Sequence, residues 1–261
     1  MVRVHYVHPD LINPVHPIHI KVVGCGGNGS AVLKNLAKIH TTLLALGHMG
    51  LFVTAYDPDD VNDPNIGRQL FFPSDVGRNK AVVLIERINR SFGTTWEPSP
   101  GLFMEGSIKG KCSILISCVD KGPTRLDIAS WIKINLPDIT RKGQQPYDKF
   151  YYWIDMGNTL NSGQVIVGSV KITQPESKYE TVDKLPSIAD LYAKDLKAKP
   201  SQQDGPSCST AESISRQDLF INSQLADHAC KILWNMLRKG IMQHHGIFYN
   251  GDTETTVPLE L

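Results

Sequence analysis

Cysteine is scarce in this sequence, and its spacing lacks the pairs that would bind a structural metal. The 261 residues include five cysteines, an odd number, scattered at positions 25, 112, 118, 208 and 230. So few and so widely spaced thiols argue against the disulfide framework of a secreted protein and predict a reduced, cytoplasmic one. Because no CxxC pair occurs, a four-cysteine zinc site is not expected.

Long apolar runs and an excess of one charge are also missing. No apolar stretch reaches the roughly 18 residues of a membrane helix, and residues 1–17 lack the apolar core of a signal peptide. The 27 basic and 26 acidic residues nearly cancel, so no net field attracts nucleic acid or an anionic membrane. The sequence therefore predicts neither a membrane segment nor a nucleic-acid partner.

Apolar runs of strand type alternate with apolar patterns of helical spacing along the first two thirds of the chain. We predict strands at residues 18–23, 51–57, 96–103, 112–120, 150–158 and 163–170, and helices at residues 30–46, 79–93 and 122–135. Such alternation is typical of parallel βαβ units. The predicted fold is α/β, Rossmann-like and doubly wound, with a mostly parallel sheet and helices on both faces.

The last third of the chain has a different composition. Residues 171–209 are polar, rich in lysine and punctuated by proline, which predicts an exposed crossover segment. Residues 211–240 have the apolar spacing of a long amphipathic helix. A terminal hairpin is expected around Asn250-Gly251. We therefore predict a core over residues 1–170, the crossover segment, and a C-terminal lobe over residues 210–261 that completes the same domain.

A glycine-rich turn joins the first predicted strand to the first helix. Gly24, Gly26 and Gly29 fit the pattern G-x-G-x-x-G, in which a tight turn brings helix N–H groups close to a phosphate. In an NAD site an acidic residue follows about 20 residues later to hold the ribose. Asp57 ends the second strand and is displaced by the long first helix, a spacing that does not exclude NAD.

The segment after the second strand argues for a triphosphate instead. It combines two cations, an amide pair and two carboxylates in one loop-to-helix passage: Asp57, Asp59, Asn65, Arg68, Gln69 and Lys80. Arginine offers a planar fork of donors to phosphate oxygens, and lysine a mobile point charge. Asp120, at the end of a buried-type strand, is a candidate carboxylate ligand for Mg²⁺.

The string D-x-D-x-V-x-x-x-N-x-x-R-Q beginning at Asp57, together with the glycine turn, Lys80 and Asp120, resembles the adenylating core of the ThiF, MoeB and ubiquitin-activating-enzyme superfamily. The resemblance covers roughly residues 18–170. The compact length and the segments SCSTAES and RQDLFIN resemble, more narrowly, the ThiF-family member of PRTRC plasmid systems, which also carry a ubiquitin-like protein.

This resemblance implies a nucleotide, a metal and a reaction. The glycines would approach the ATP phosphates, and Asp57 would bind the ribose. Asn65, Arg68 and Lys80 would contact the triphosphate, Asp59 and Gln69 would shape the site, and Asp120 would hold Mg²⁺. The implied reaction is adenylation of the C-terminal carboxylate of a ubiquitin-like (β-grasp) or sulfur-carrier protein with a flexible tail. The family also implies a homodimer.

Two features depart from the family pattern, and one cysteine has two interpretations. No R-x-x-x-Q arm precedes the glycine turn, where Arg3 is the only arginine, and the zinc-binding cysteine pairs of the MoeB type are missing. The surroundings of Cys208 resemble those of the thioester cysteine in ubiquitin-type activating enzymes. The other interpretation is an inert thiol near a helix start capped by Ser207 or Ser209.

The sequence leaves two alternative functions open. An NAD-dependent oxidoreductase would bind NAD without magnesium and would have no use for Arg68 or Lys80. A non-catalytic module that holds a ubiquitin-like protein would bind its partner even without Asp120. Cys25 is expected to fit the glycine turn as a small residue, and the remaining three cysteines are expected in the core.

Overall fold

The computed structural model describes residues 2–103, 111–135, 149–197 and 218–261. The strands in these ranges are β1 (Arg3–Tyr6), β2 (Ile18–Val23), β3 (Leu51–Tyr56), β4 (Glu97–Ser99), β5 (Ile114–Ser117), β6 (Tyr152–Asn158), β7 (Ser162–Ser169), β8 (Glu180–Thr181), β9 (Ile241–Met242), β10 (His244–Asn250) and β11 (Thr255–Glu260). The α-helices are α1 (Pro9–Ile12), α2 (Gly27–Ala45), α3 (Lys80–Phe92), α4 (Gly122–Asn135), α5 (Ile188–Leu191) and α6 (Ile221–Lys239).

Eight strands form one sheet in the order β11-β10-β7-β6-β5-β2-β3-β4. The five strands from β6 to β4 run parallel, and β7, β10 and β11 extend this sheet in antiparallel pairs. The order of the parallel strands reverses direction at β2, as in a doubly wound fold. The predicted α/β class with a mostly parallel sheet is confirmed.

The two faces of the sheet are covered by different helices. Residues of α2, α3 and α6 join the larger core cluster, for example Leu36, Ile85 and Leu233. Ile128 of α4 and Ile188 of α5 join the second cluster on the other face. None of the helices within the described residues combines the length and apolar character that a membrane crossing requires.

Several predicted boundaries shift once the chain is folded. Helix α2 begins at Gly27 rather than residue 30, because the glycine turn itself supplies the first helical turn. Strand β5 ends at Ser117, so that Asp120 lies in the connection to α4 rather than on the strand. Helix α6 begins at Ile221, and residues 211–217 of the predicted helix lie outside the described residues. The predicted terminal hairpin is present, and Asn250 pairs with Thr255 across a four-residue turn.

A second sheet was not predicted. It consists of β1 between β8, which runs parallel, and β9, which runs antiparallel. The part of the crossover segment that the structure describes also contributes Ile172 and Leu185 to the larger core cluster. The division of the chain into a core, a crossover and a C-terminal lobe stays a prediction.

Candidate functional site

Parallel strands bring three of the predicted site residues to one edge of the sheet. Gly24 follows β2, Asp57 follows β3, and Asp120 lies three residues beyond β5, each at the carboxyl end of its strand. The Gly24 amide donates to the Tyr56 carbonyl at 2.9 Å, and the Cys118 amide to the Val23 carbonyl at 2.8 Å. These bonds join the three turns side by side, at the position where doubly wound folds bind ligands.

The three glycines of the turn serve different purposes. Gly24 has a φ of +91°, and a Cβ there would lie 2.8 Å from the Cys118 carbonyl oxygen. A Cβ on Gly29 would lie 1.8 Å from the Gly24 carbonyl oxygen. Packing alone therefore requires both glycines. A Cβ on Gly26, in contrast, would approach only the Gln69 amide, at 3.9 Å. Gly26 thus leaves the space at the helix start that a ligand needs.

The start of α2 is suited to an anion. Gly26 is the N-cap residue, so no side chain caps the first turn, and the first turn contains no acidic residue. The N–H groups of the first turn therefore have no acceptor within the helix or from a capping side chain. No acidic side chain in that turn offsets the positive end of the dipole of this 19-residue helix. Such a terminus is the usual phosphate site at a strand-to-helix turn.

Asp57 fixes the glycine turn through both of its carboxylate oxygens. Oδ2 accepts from the Cys25 amide at 2.6 Å, and Oδ1 accepts from the Asp59 amide at 2.9 Å. Burial raises the pKa of the Asp57 carboxyl, against these hydrogen bonds and the Lys80 charge. Each carboxylate oxygen retains a further lone pair, so the group can still accept from a ribose hydroxyl.

Lys80 is held at the first position of α3 beside Asp57. Its Nζ lies 3.0 Å from Oδ2 of Asp59, and the lysine is buried whereas the Asp59 side chain is 67% exposed. Asn79 caps α3 through Oδ1, and its Nδ2 donates to the Asp57 carbonyl at 2.9 Å. An exposed carboxylate is readily displaced, so Lys80 is positioned to exchange Asp59 for a phosphate.

Asn65, Arg68 and Gln69 lie together on the loop between β3 and α3. Asn65 is buried and orders the loop, because its Oδ1 accepts from the Asn62 amide at 3.0 Å and its carbonyl accepts from the Gln69 amide at 3.0 Å. Burial lowers the pKa of the Arg68 guanidinium, which stays charged at neutral pH. Within the described residues, Oε1 of Gln69 is buried and accepts no hydrogen bond.

Asp120 lies exposed on the connection between β5 and α4. No group of three or more metal-ligating side chains occurs among the residues that the structure describes. Mg²⁺ at nucleotides is commonly held by one or two carboxylates together with phosphate oxygens and waters. Cys208 lies outside the described residues, and neither interpretation of it is tested.

The other four cysteines do not provide a nucleophile. Cys25, Cys112 and Cys230 are buried, and Cys118 is largely so. Burial raises the pKa of the Cys25 thiol well above its ordinary value and that of Cys112 and Cys230 to about 12. These thiols therefore stay protonated at neutral pH. The predicted core positions of Cys112 and Cys230 are confirmed, and Cys118 is partly buried against the core.

A buried ion pair beneath the Asp120 connection was not anticipated. Nε of Arg125 lies 2.9 Å from Oδ2 and 3.0 Å from Oδ1 of Asp155, and both residues are at most 5% exposed. Nη2 of Arg125 donates to the Val119 carbonyl at 2.7 Å and to the Met156 carbonyl at 2.8 Å. The guanidinium thus ties the residue preceding Asp120 to β6. A charged residue within the apolar run FYYWIDMGN was the available signal.

Comparison with protein families finds a match over nearly the whole chain. A family model described as "ThiF family" matches residues 3–255. None of the curated proteins matches the chain significantly.

Solved structures share the fold at low sequence identity. They include PaaA, at 15% identity and a TM-score of 0.56, covering 93% of this chain and 64% of that protein. They also include Escherichia coli MccB with succinimide, at 15% identity and a TM-score of 0.55, covering 96% of this chain and 65% of MccB. MccB with ATP gives 15% identity, a TM-score of 0.52, and coverages of 96% and 64%. The chain spans less than two thirds of the length of these proteins, and at this identity the likeness shows the fold.

Proposed function

Because the chain belongs to the ThiF family, we propose that it is an adenylyltransferase that uses ATP to activate the C-terminal carboxylate of a ubiquitin-like or sulfur-carrier protein. The observation that carries the proposal is the composition of one sheet edge. Three features lie at this edge: the start of α2 beside Gly26, which no side chain caps; the buried Lys80, which pairs with the exposed Asp59; and the exposed carboxylate of Asp120. Solved structures of MccB with ATP and with N-formylated MccA add support.

The groups of the site would each contact a different part of Mg-ATP. The N–H groups at the start of α2 and the Lys80 ammonium offer donors and positive charge to phosphate oxygens. Arg68 adds a planar fork of donors, and Asp57 accepts from the ribose hydroxyls. Mg²⁺ held by Asp120 would neutralise part of the phosphate charge. These groups fit Mg-ATP because the site offers hydrogen-bond donors to the phosphates and the exposed carboxylate of Asp120 to the cation.

The reaction needs little proton transfer from the protein. The carboxylate of the substrate tail is ionised at neutral pH and attacks the α-phosphorus. A bond forms between the carboxylate oxygen and phosphorus, the bond to the bridging oxygen breaks, and pyrophosphate leaves with its electron pair. Catalysis then depends on holding the two reactants in line and on stabilising the charge on the departing pyrophosphate.

Calorimetric titration with Mg-ATP, AMP and NAD⁺ tests the nucleotide. We expect Mg-ATP to bind, and Arg68→Ala to weaken Mg-ATP by about 10- to 100-fold, since a hydrogen bond to a charged group contributes about 1.5–3 kcal/mol. AMP lacks the β- and γ-phosphates, so its smaller affinity should change little. Arg78→Ala is the matched control, because Arg78 is exposed and pairs with Glu86.

Two outcomes would contradict this assignment. Equal losses of Mg-ATP and AMP affinity in Arg68→Ala would remove Arg68 from the β- and γ-phosphates. Binding of NAD⁺ without any response to Mg-ATP would favour an NAD-dependent oxidoreductase over an adenylyltransferase.

The partner and the setting belong to the same proposal. We propose a β-grasp carrier with a flexible tail, a homodimer as in the family, and a cytoplasmic location consistent with the few cysteines. The narrower resemblance to PRTRC-system members names a candidate carrier, the ubiquitin-like protein of those systems. That resemblance depends on SCSTAES, which lies outside the described residues, and on RQDLFIN, which lies partly outside them.

We further propose that Cys208 accepts the carrier from the adenylate. Its thiolate would attack the acyl carbon, the bond to the AMP oxygen would break, and AMP would leave as a thioester forms. With the PRTRC ubiquitin-like protein and Mg-ATP, Cys208→Ala should keep pyrophosphate exchange and lose the thiol-sensitive covalent adduct, measured by intact-protein mass spectrometry. The adduct should persist in Cys230→Ala, whose thiol is buried. An adduct that survives in Cys208→Ala would exclude Cys208 as the acceptor.

A further inference from the structure

Asn28 has an unusual hydrogen-bonding state at the start of α2. It is the second residue of the helix and is 8% exposed. Its Nδ2 donates to Oδ1 of Asn158 at 3.0 Å. Its Oδ1 is buried and accepts no hydrogen bond from the described residues. A buried acceptor without a donor is destabilising, so this oxygen indicates a missing partner.

The orientation of the amide is set by its neighbours. Nδ2 of Asn158 donates to the Thr159 carbonyl at 3.2 Å, which directs the Asn158 oxygen towards Asn28. An oxygen accepts only, so Asn28 must present its nitrogen to Asn158. The free atom of Asn28 is therefore the oxygen, and the missing partner is a donor.

The need for a donor distinguishes between the two substrates of the proposed reaction. The phosphates of ATP carry acceptor oxygens, so they do not satisfy Oδ1 of Asn28. The ribose hydroxyls and the adenine amino group are donors, but both belong to the nucleoside that Asp57 would bind. Asp57 follows β3, whereas Asn158 ends β6 on the other side of β2. Three strand spacings separate β3 from β6, roughly 14 Å. A ligand group on the Asn158 side therefore belongs to the second substrate.

A cleft lies next to Asn158 in the chain. It has a volume of about 390 Å³, and Thr159, the residue after Asn158, is one of its lining residues. Phe248 and Val257 line it as well and are 37% and 58% exposed. Gly27 of the helix start lies against Asn222 of α6, where a Cβ would meet the amide at 2.5 Å.

We propose that Oδ1 of Asn28 accepts a hydrogen bond from a backbone N–H of the substrate's C-terminal tail, with Asn158 as the positioning residue. The inference rests on the proposed function and specifies how the second substrate is recognised. Backbone recognition selects an extended peptide terminus rather than a small carboxylic acid, because only the peptide supplies an N–H near its carboxylate.

Calorimetry with peptide probes tests the inference in the presence of Mg²⁺ and a non-hydrolysable ATP analogue. The probes are an N-acetylated hexapeptide ending in Gly-Gly and two versions with an ester oxygen in place of the last or the next-to-last amide N–H. We expect one ester to bind the wild-type protein about 3- to 10-fold more weakly than the amide. Asn28→Leu should weaken binding of the amide peptide by the same factor and should leave binding of that ester unchanged.

Controls separate recognition from folding. Asn35→Leu changes the same residue type seven positions along α2, where Nδ2 donates to Asp227 at 2.7 Å, and should leave peptide affinity unchanged. Asn158→Ala is a second variant, which frees the Asn28 amide to rotate and should weaken the peptide while the ATP analogue binds normally. Thermal unfolding of each variant verifies that the chain is folded.

The possible failures are distinguishable. A wild-type protein that does not bind the ATP analogue contradicts the proposed function itself. A protein that binds the analogue but no peptide contradicts this inference alone. The inference is also contradicted if the ester binds more weakly than the amide peptide by the same factor in the wild-type protein and in Asn28→Leu. A third contradicting result is that Asn28→Leu weakens binding of the nucleotide rather than of the peptide.

Discussion

Asp120→Ala is expected to lower the rate of ATP–pyrophosphate exchange by about 10²- to 10³-fold, the size of effect seen when one preorganised electrostatic group is removed from an active site. Asp120 is exposed and lies two residues after Cys118, whose carbonyl oxygen lies against Gly24 of the glycine turn. Without its carboxylate the site loses its candidate Mg²⁺ ligand. Exchange is measured with the ubiquitin-like protein of PRTRC systems as the carboxylate donor.

The effect should be confined to activity. Because Asp120 is exposed, its removal should change the free energy of unfolding by no more than about 0.5 kcal/mol. Asp127→Ala is the matched control, since Asp127 is an exposed acid on α4, seven residues further along the chain. Unchanged exchange in Asp120→Ala would show that the metal, or the reaction, depends on other residues. Carrier binding that persists without exchange in the wild-type protein would favour the non-catalytic module.

The clustering of the candidate nucleotide-binding residues at one sheet edge was predictable because they are local in sequence. Gly24 and Gly29 lie between a strand and a helix, and that order alone specifies a tight turn facing the helix start. The parallel order of β2, β3 and β5 then brings Asp57 and Asp120 to the same edge, since carboxyl ends of parallel strands coincide. The spacing from Asp57 to Lys80 spans one loop, so the pattern could be found without knowledge of tertiary contacts.

The missed features depend on contacts between distant parts of the chain. The Asn28–Asn158 hydrogen bond joins residues 130 positions apart. Nothing in the sequence around either asparagine distinguishes it from a polar residue on the surface. The small sheet pairs β1 with β8 through only two residue pairs. Such short strands leave no alternation that a sequence pattern can detect. Arg125 and Asp155 interrupt apolar segments, which indicates burial of a charge but does not identify its partner.

The ion pair between Arg125 and Asp155 should produce the largest effect on stability. Asp155→Asn removes the carboxylate charge and leaves a buried guanidinium uncompensated, which typically costs about 3–5 kcal/mol. For a chain of this size that loss corresponds to a fall in melting temperature of about 10 °C. Asp75→Asn is the matched control, because Asp75 also pairs with an arginine, but Arg87 is partly exposed and can be solvated. Its effect should be clearly smaller.

The partner variant adds a pH dependence of defined sign. Burial raises the pKa of the Asp155 carboxyl and the Arg125 charge opposes that shift, so Arg125→Met leaves the effect of burial unopposed. The folded variant then binds a proton that the unfolded chain has already released above about pH 4. Protonation therefore stabilises the folded variant at low pH. Its deficit relative to wild type should grow as the pH rises from 4 to 7, measured by urea unfolding. A deficit independent of pH would contradict a buried charge at Asp155.

The double variant separates stability from positioning. Arg125→Met with Asp155→Asn removes both charges, so its free energy of unfolding should exceed that of either single variant. The Val119 carbonyl, however, loses its donor in both Arg125 variants, and Val119 immediately precedes Asp120. We therefore expect the double variant to fold well and still bind Mg-ATP about tenfold more weakly than wild type. Full recovery of Mg-ATP affinity along with stability would show that the guanidinium does not position Asp120, because the connection would then keep its geometry without Arg125.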